Sequence, residues 1–169
     1  MATRSNIAYR TPEGKIRSVY CHWDGYPTHN GEMLRRYYTT QEKVEALIAL
    51  GSISSLSKEI GEKQDFNARY NGGTVNEDWC MVYHRDRGED LEVRTFNDAM
   101  DFVDNFDWGA EYFYLWTGAE WLVNAYQRKS SNGFPEFDRV VDILDPSELK
   151  RMGWEGVDED PAFRNEDAF

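Results

Sequence analysis

The chain has 169 residues, 40% of them hydrophobic and 15% aromatic, and 31 acidic side chains outweigh 19 basic ones for a net charge of −12. Such a length fits one domain with its own core, and the aromatic content excludes intrinsic disorder. The charge opposes general nucleic-acid binding, whose phosphate contacts need a basic face, and no run approaches the roughly 18 apolar residues of a membrane span.

Met1 to Asn6 lacks the apolar stretch of a secretory signal. Residues 7–10 read as a short strand and 11–14, with Pro12 and Gly14, as a turn. Residues 16–23 alternate, placing Ile16, Ser18, Tyr20 and His22 on one face and Arg17, Val19, Cys21 and Trp23 on the other. The two strands make an N-terminal hairpin. Uncommon chemistry concentrates at its end, VYCHWDGYPTHNG (19–31), which holds Cys21, His22, Trp23, Asp24, Tyr26 and His29. Asp24-Gly25 and Pro27 are turn formers, so these side chains sit where a strand leaves for a loop, a favoured place for functional groups.

A helix is predicted after Asn30-Gly31, carrying Met33, Leu34, Tyr37 and Tyr38. Thr39 and Glu42 have the spacing of a capping box before a second helix that buries Val44, Leu47 and Ile48 and stops at Gly51. Residues 52–77 keep no period and read as a long surface excursion. Strands follow at 79–84 and 91–95 around a turn at 85–90, then a helix with Ala99, Phe102, Val103 and Phe106. Residues 111–116 and 120–126 are aromatic strands joined by Thr117-Gly118-Ala119, a hairpin signal. Tyr112, Tyr114 and Trp116 share a face that suits the core, or a protein-binding surface. Residues 137–144 could add an edge strand, and Asp145-Pro146 starts a short capped helix. This order predicts a single α+β domain over 1–152, with an antiparallel sheet of about five or six strands and two or three packed helices. Residues 153–169 hold six acidic side chains against Arg164, −5 of the −12. They read as a flexible acidic tail, or as a docking surface for a basic partner through Glu155, Asp158, Glu159 and Asp160.

Cys21 and Cys80 make no disulfide framework and suit free thiols in a cytoplasm. Cys21 and His22 point to opposite faces of a strand, and Cys80 and His84 would lie about 13 Å apart on an extended strand. No metal is expected. Cys21 or His22 with Asp24 supplies residue types for nucleophilic or acid–base chemistry, but no nucleophile signature surrounds them. Phosphate-loop and dinucleotide glycine signatures are missing, so no cofactor is expected. Arg85 and Arg87 on a tight turn could hold an anion, and with stacking from Trp23 and Tyr26 they would suit a nucleotide-like ligand, provided the two loops meet.

TRSNI (3–7), VYCHWDGYP (19–27), the stretch from Lys43-Val44 to Leu50-Gly51, Ser54-Ser55-Leu56 and RDRGE (85–89) together resemble small proteins common in bacteriophages and prophages. The likeness covers roughly residues 3–126 and is uninformative after Gln127. It implies a phage-encoded accessory protein in the host cytoplasm, of a kind that often binds and inhibits host machinery, anti-CRISPR and other counter-defence factors among them. The expected activity is stoichiometric inhibition of a host defence or nucleic-acid-handling protein, with no membrane association and a possible homodimer. The alternative is a nucleotide-like small-molecule binder, or a hydrolase, using His22, Trp23, Asp24, Tyr26, Arg85 and Arg87.

Overall fold

The N-terminal hairpin forms as the alternation predicts, and it lies at the centre of the sheet. In the computed structural model, which describes residues 2–106 and 108–164, β1 (Ser5–Arg10) and β2 (Ile16–Cys21) pair antiparallel from Ser5↔Cys21 to Arg10↔Ile16. All of β1 except Arg10 is buried, as a strand covered on both faces requires. The later hairpin also forms, with β6 (Tyr112–Trp116) antiparallel to β7 (Trp121–Ala125).

The sheet is mixed and eight-stranded, not antiparallel with five or six strands. β6 runs parallel to β1 in the register Ser5↔Tyr112 to Tyr9↔Trp116. β3 (Ile53–Ser55) is parallel to β2 through Cys21↔Ile53, after a crossover containing α1 (Glu32–Tyr37) and α2 (Gln41–Ile48). The main order is β4-β3-β2-β1-β6-β7-β8, with β4 (Met81–Val82) and β8 (Asp138–Arg139) at its ends. β5 (Arg94–Phe96) pairs with the opposite end of β2's outer edge.

Side-chain parity gives the sheet two cores. Ile7, Val19, Cys21, Tyr114, Trp116 and Val123 belong to the larger one, with Leu34, Leu47, Ile48 and Leu149 from α1, α2 and α5 (Pro146–Arg151). Ala8, Ile16, Phe113 and Leu115 belong to the other, with Phe102 and Val103 from α4 (Ala99–Asn105). Two indoles tie the sheet to its helices: Trp116 Nε1 donates to Gln41 Oε1 at 2.8 Å, and Trp121 Nε1 to the Tyr38 carbonyl at 2.8 Å. Tyr112, Tyr114 and Trp116 thus line or pack against a core.

Several local expectations change. Thr40, not Thr39, caps α2, accepting from the Lys43 amide at 3.2 Å. The excursion 52–77 begins with buried β3, so the irregular segment starts only after it. Its later part is held by Tyr38, whose hydroxyl donates to the Ser57 carbonyl at 2.6 Å, and by a bridge between Glu59 and Trp79. The strand at 79–84 ends at Val82, and the 85–90 turn is replaced by helix α3 (Tyr83–Arg87) with Gly88 left-handed at φ 75° after it. Asp86 is the cause: its buried carboxylate accepts from the Val82 amide at 2.8 Å and the Gln64 amide at 3.0 Å.

The flexible-tail expectation is also corrected for residues 153–164, which lie against α1. Trp154 Nε1 donates to the Thr28 carbonyl at 2.7 Å, Arg36 Nη1 to the Glu155 carbonyl at 2.6 Å, and Val157 is buried. Arg35 stands 2.6 Å from both Glu32 and Asp160, with its guanidinium over Phe163. Residues 165–169, the remainder of the acidic segment, lie outside the described residues.

Glu32 has no exposed side-chain surface and also faces Arg36 Nε at 3.2 Å. Removing one partner of a buried ion cluster leaves uncompensated charge, so Glu32→Gln should cost about 3–5 kcal/mol in denaturant unfolding. Burial pushes the Asp160 carboxyl up, but the Arg35 guanidinium outweighs this and holds it below its usual value. A carboxyl lowered on folding adds stability above its unfolded pKa and loses it as pH falls through the folded one. Amide exchange over 153–163 should therefore accelerate relative to the sheet on acidification below about pH 4, and Asp160→Asn should abolish that differential.

Candidate functional site

The CHWDGYP corner is built around one buried side chain. After Cys21 the chain stays beside β3, with the His22 amide donating to the Ile53 carbonyl at 2.9 Å and the Trp23 amide to Ser54 at 3.0 Å. Asp24 then reverses it at φ 56°, a left-handed conformation that aspartate tolerates better than most residues. Gly25 follows, packed so closely that a Cβ would stand 2.8 Å from the Thr3 carbonyl oxygen and 2.9 Å from Ser5 Cβ. Its own carbonyl accepts from the buried Tyr114 hydroxyl at 2.6 Å. Pro27–Gly31 forms one π-helical turn leading into α1, and it carries Asn30 to the centre of the corner. Fully buried, Asn30 donates from Nδ2 towards Trp23 O at 3.2 Å, Ser5 Oγ at 3.3 Å and Cys21 Sγ at 3.4 Å. Its backbone amide reaches the Asp24 and Tyr26 carbonyls.

From this corner the predicted site residues diverge. Cys21 points into the larger core, where burial pushes its thiol up to about 12, the Asn30 hydrogen bond offsetting only part of the effect. Trp23 and Asp24 face a groove of about 710 Å³. His22 stays outside the groove, Nδ1 2.7 Å from the Tyr20 hydroxyl and its ring edge-on to Trp23 at 4.7 Å, and burial, followed by the Arg4 charge, lowers its pKa. Tyr26 supports Asp24, its hydroxyl donating to Oδ1 at 3.0 Å. His29 and Met33 line the same groove, whose other walls come from 54–58, from the 64–81 segment with Phe66 and Tyr70, and from Trp154.

Neither arginine of the RDRGE segment reaches the groove. Arg85 is a clamp: Nε lies 2.9 Å from Asp86, Nη1 donates to Ile60 O at 2.9 Å and Nη2 to Cys80 O at 2.8 Å. Arg87 pairs with Glu89 at 2.5 Å and lies over the rings of Phe66 and Tyr83. It opens on a separate hollow of about 650 Å³ with Tyr20, Trp108 and the carboxylates of Glu89, Asp90 and Glu92. The single pocket expected from the corner and the RDRGE segment is therefore not assembled. Of the acidic candidates, Asp158 pairs with Lys150 and Asp160 with Arg35, whereas Glu155 and Glu159 are exposed.

His29 belongs to the chemically uncommon segment seen in the sequence, whereas Phe66, Tyr70 and Trp154 at the groove and Asn30 beneath it carry no sequence signal of a site. Phe66 and Tyr70 lie in a stretch without periodicity and Trp154 in an acidic one, so local pattern had little to say about them. Among the described residues no group of three His, Cys, Asp or Glu side chains could hold a metal ion. No protein-family model, curated protein or solved structure matches the chain.

Burial also raises the Cys80 thiol, more than its Tyr38 and Ser57 contacts lower it. Because only the thiolate is nucleophilic, neither cysteine should be alkylated by iodoacetamide at pH 8 in the folded protein, and both should be in denaturant, as read by intact mass. Asn30→Ala should cost about 1–3 kcal/mol, the penalty for stranded buried polar groups. It should expose Cys21 to labelling before Cys80.

Proposed function

We propose that the protein is a stoichiometric binding protein, a phage-encoded accessory factor that occupies and inhibits a basic host protein in the host cytoplasm, with counter-defence as its role. The observation that carries this reading is the groove at the corner. Two of its aromatic side chains are substantially exposed, Trp23 at 45% and Tyr70 at 87%, and the groove has one carboxylate, Asp24, beyond the Arg69–Glu77 and Lys58–Asp78 pairs. Tyrosine and tryptophan dominate the energetic centres of protein interfaces. On a chain of net charge −12 such a surface is complementary to a cleft made basic for handling nucleic acid, and the charge would speed and orient the encounter. The phage setting comes from the resemblance of the CHWDGYP and RDRGE segments.

The nucleotide-like ligand has less support. A phosphate needs an uncommitted cation, yet Arg69 pairs with Glu77 at 2.7 Å and Lys58 with Asp78 at 3.4 Å at the groove. Arg85 is engaged inside the fold, and Arg87 stands among three carboxylates. A hydrolase built on His22 and Asp24 has less support, because Asp24 lines the groove whereas His22 does not and has its Nδ1 engaged by the Tyr20 hydroxyl.

Capture of a host protein by the tagged chain, with inhibition of that protein's activity, should weaken with added salt. It should fall at least tenfold in Trp23→Ala/Tyr70→Ala, at a hot-spot cost of about 2 kcal/mol. The variant's melting temperature should stay close to that of the parent, because both side chains are exposed. Unchanged capture by the variant sinks the reading. So does a nucleotide that raises the melting temperature of the parent chain but not of Arg87→Ala, which would favour the small-molecule alternative.

A further inference from the structure

The hydrogen bonds of Asn30 determine the proton position on a histidine in the groove. Its Nδ2 is directed at three acceptors, Ser5 Oγ, Cys21 Sγ and Trp23 O, and a backbone carbonyl can only accept. The amide orientation follows, so Oδ1 is the atom 2.8 Å from His29 Nδ1. Because an amide oxygen accepts, Nδ1 must carry the proton, and a neutral imidazole then holds its lone pair on Nε2. Nε2 has no hydrogen-bond partner among the described residues, and the ring lines the groove.

Asp24 lines the same groove. Tyr26 joins the two residues, its hydroxyl donating to Asp24 Oδ1 and its ring 6.2 Å from the imidazole centroid. Asp24 Oδ2 has no partner among the described residues. The corner therefore presents two acceptors, a carboxylate oxygen and an imidazole lone pair, beside Trp23 and Trp154, with the Trp154 ring 6.5 Å from the imidazole. Trp154 already carries one guanidinium, that of Arg36 at 5.0 Å.

Resting on the reading of the protein as a binder of a basic host protein, we propose that Asp24 and His29 Nε2 receive the guanidinium of an arginine side chain presented by that partner. Arginine suits the corner for three reasons. Its planar fork can donate to two acceptors at once, its face stacks on indole, and its charge is opposite to that of the chain. A lysine ammonium matches the charge but lacks the planar fork.

The test uses the full chain at pH 8 with ring-¹⁵N-labelled histidine and N-acetyl-arginine methylamide as the probe. Before any addition, His29 Nδ1 should resonate as a protonated nitrogen and Nε2 as an unprotonated one. On titration, Nε2 should shift saturably towards the protonated range, together with the indole N–H signals of Trp23 and Trp154, and N-acetyl-lysine methylamide should shift them less. Asp24→Asn, which keeps a residue tolerant of positive φ, should weaken the probe and the captured host protein about tenfold each, the size of one charge-assisted hydrogen bond. A proton on Nε2 in the unliganded chain overturns the proposal, as does a probe that leaves Nε2 unmoved or a lysine probe that is equally effective. Host capture that needs Trp23 and Tyr70 but ignores Asp24→Asn also defeats it while leaving the proposed function intact. Arginine binding without capture of a basic host protein defeats the proposed function alone.

Discussion

Asn30 is fully buried, and almost every polar atom it has is committed to a neighbouring part of the chain. Its amide nitrogen meets β1 at Ser5, the end of β2 at Cys21 and the reversing backbone at Trp23, while its oxygen meets His29. A buried amide without partners costs several kcal/mol, so these groups must arrive together or not at all. That requirement makes the tight Gly25 packing and the left-handed Asp24 tolerable, since the surroundings over-determine both. It also places Trp23, Asp24 and His29 at one groove with little freedom to rearrange, the preorganisation from which a binding surface gains affinity.

The CHWDGYP segment divides its side chains between the core and the groove. Cys21, Gly25 and the backbone of 22–26 belong to the sheet and its core. Trp23 and Asp24 line the groove, and His22 lies beside Trp23 with its Nδ1 on the Tyr20 hydroxyl. Strand parity separates Tyr20 from Cys21, but β2 ends at Cys21 and the chain turns through Asp24 at φ 56°, so Trp23 and Asp24 line the groove while the His22 ring packs edge-on against Trp23 at 4.7 Å outside it.

The C-terminal segment completes that groove. Trp154 crosses to the Thr28 carbonyl, and the charges of Glu32, Arg35, Arg36 and Asp160 hold the chain on α1. Part of what a charge count records as acidic surface is therefore internal wiring. One buried glutamate faces two arginines, and Asp160 supplies the second negative charge, so the exposed negative charge of this region falls to residues such as Glu155 and Glu159.

Alternation at 16–21, the Thr-Gly-Ala turn between β6 and β7 and Asp145-Pro146 before α5 all act within a few residues and are legible without the fold. The class of fold, an α+β domain, followed from their order. The direction of strand pairing did not, because the parallel contact of Ser5 with Tyr112 joins residues more than a hundred positions apart. For β3, three residues without periodicity become a strand because β2 offers an open edge there. The RDRGE segment reads as a charged turn and folds as a helix with its clamp, since Asp86 accepts from the Val82 amide four residues back and from the Gln64 amide, which only the folded loop brings near. The acidic segment was judged by its charges, whereas Trp154 and Val157 decide its place by finding apolar surface to bury. Local hydrogen-bonding and turn preferences are written in neighbouring residues. Which acceptor a buried donor meets, and which face an indole covers, is set by the lowest-energy packing of the whole chain.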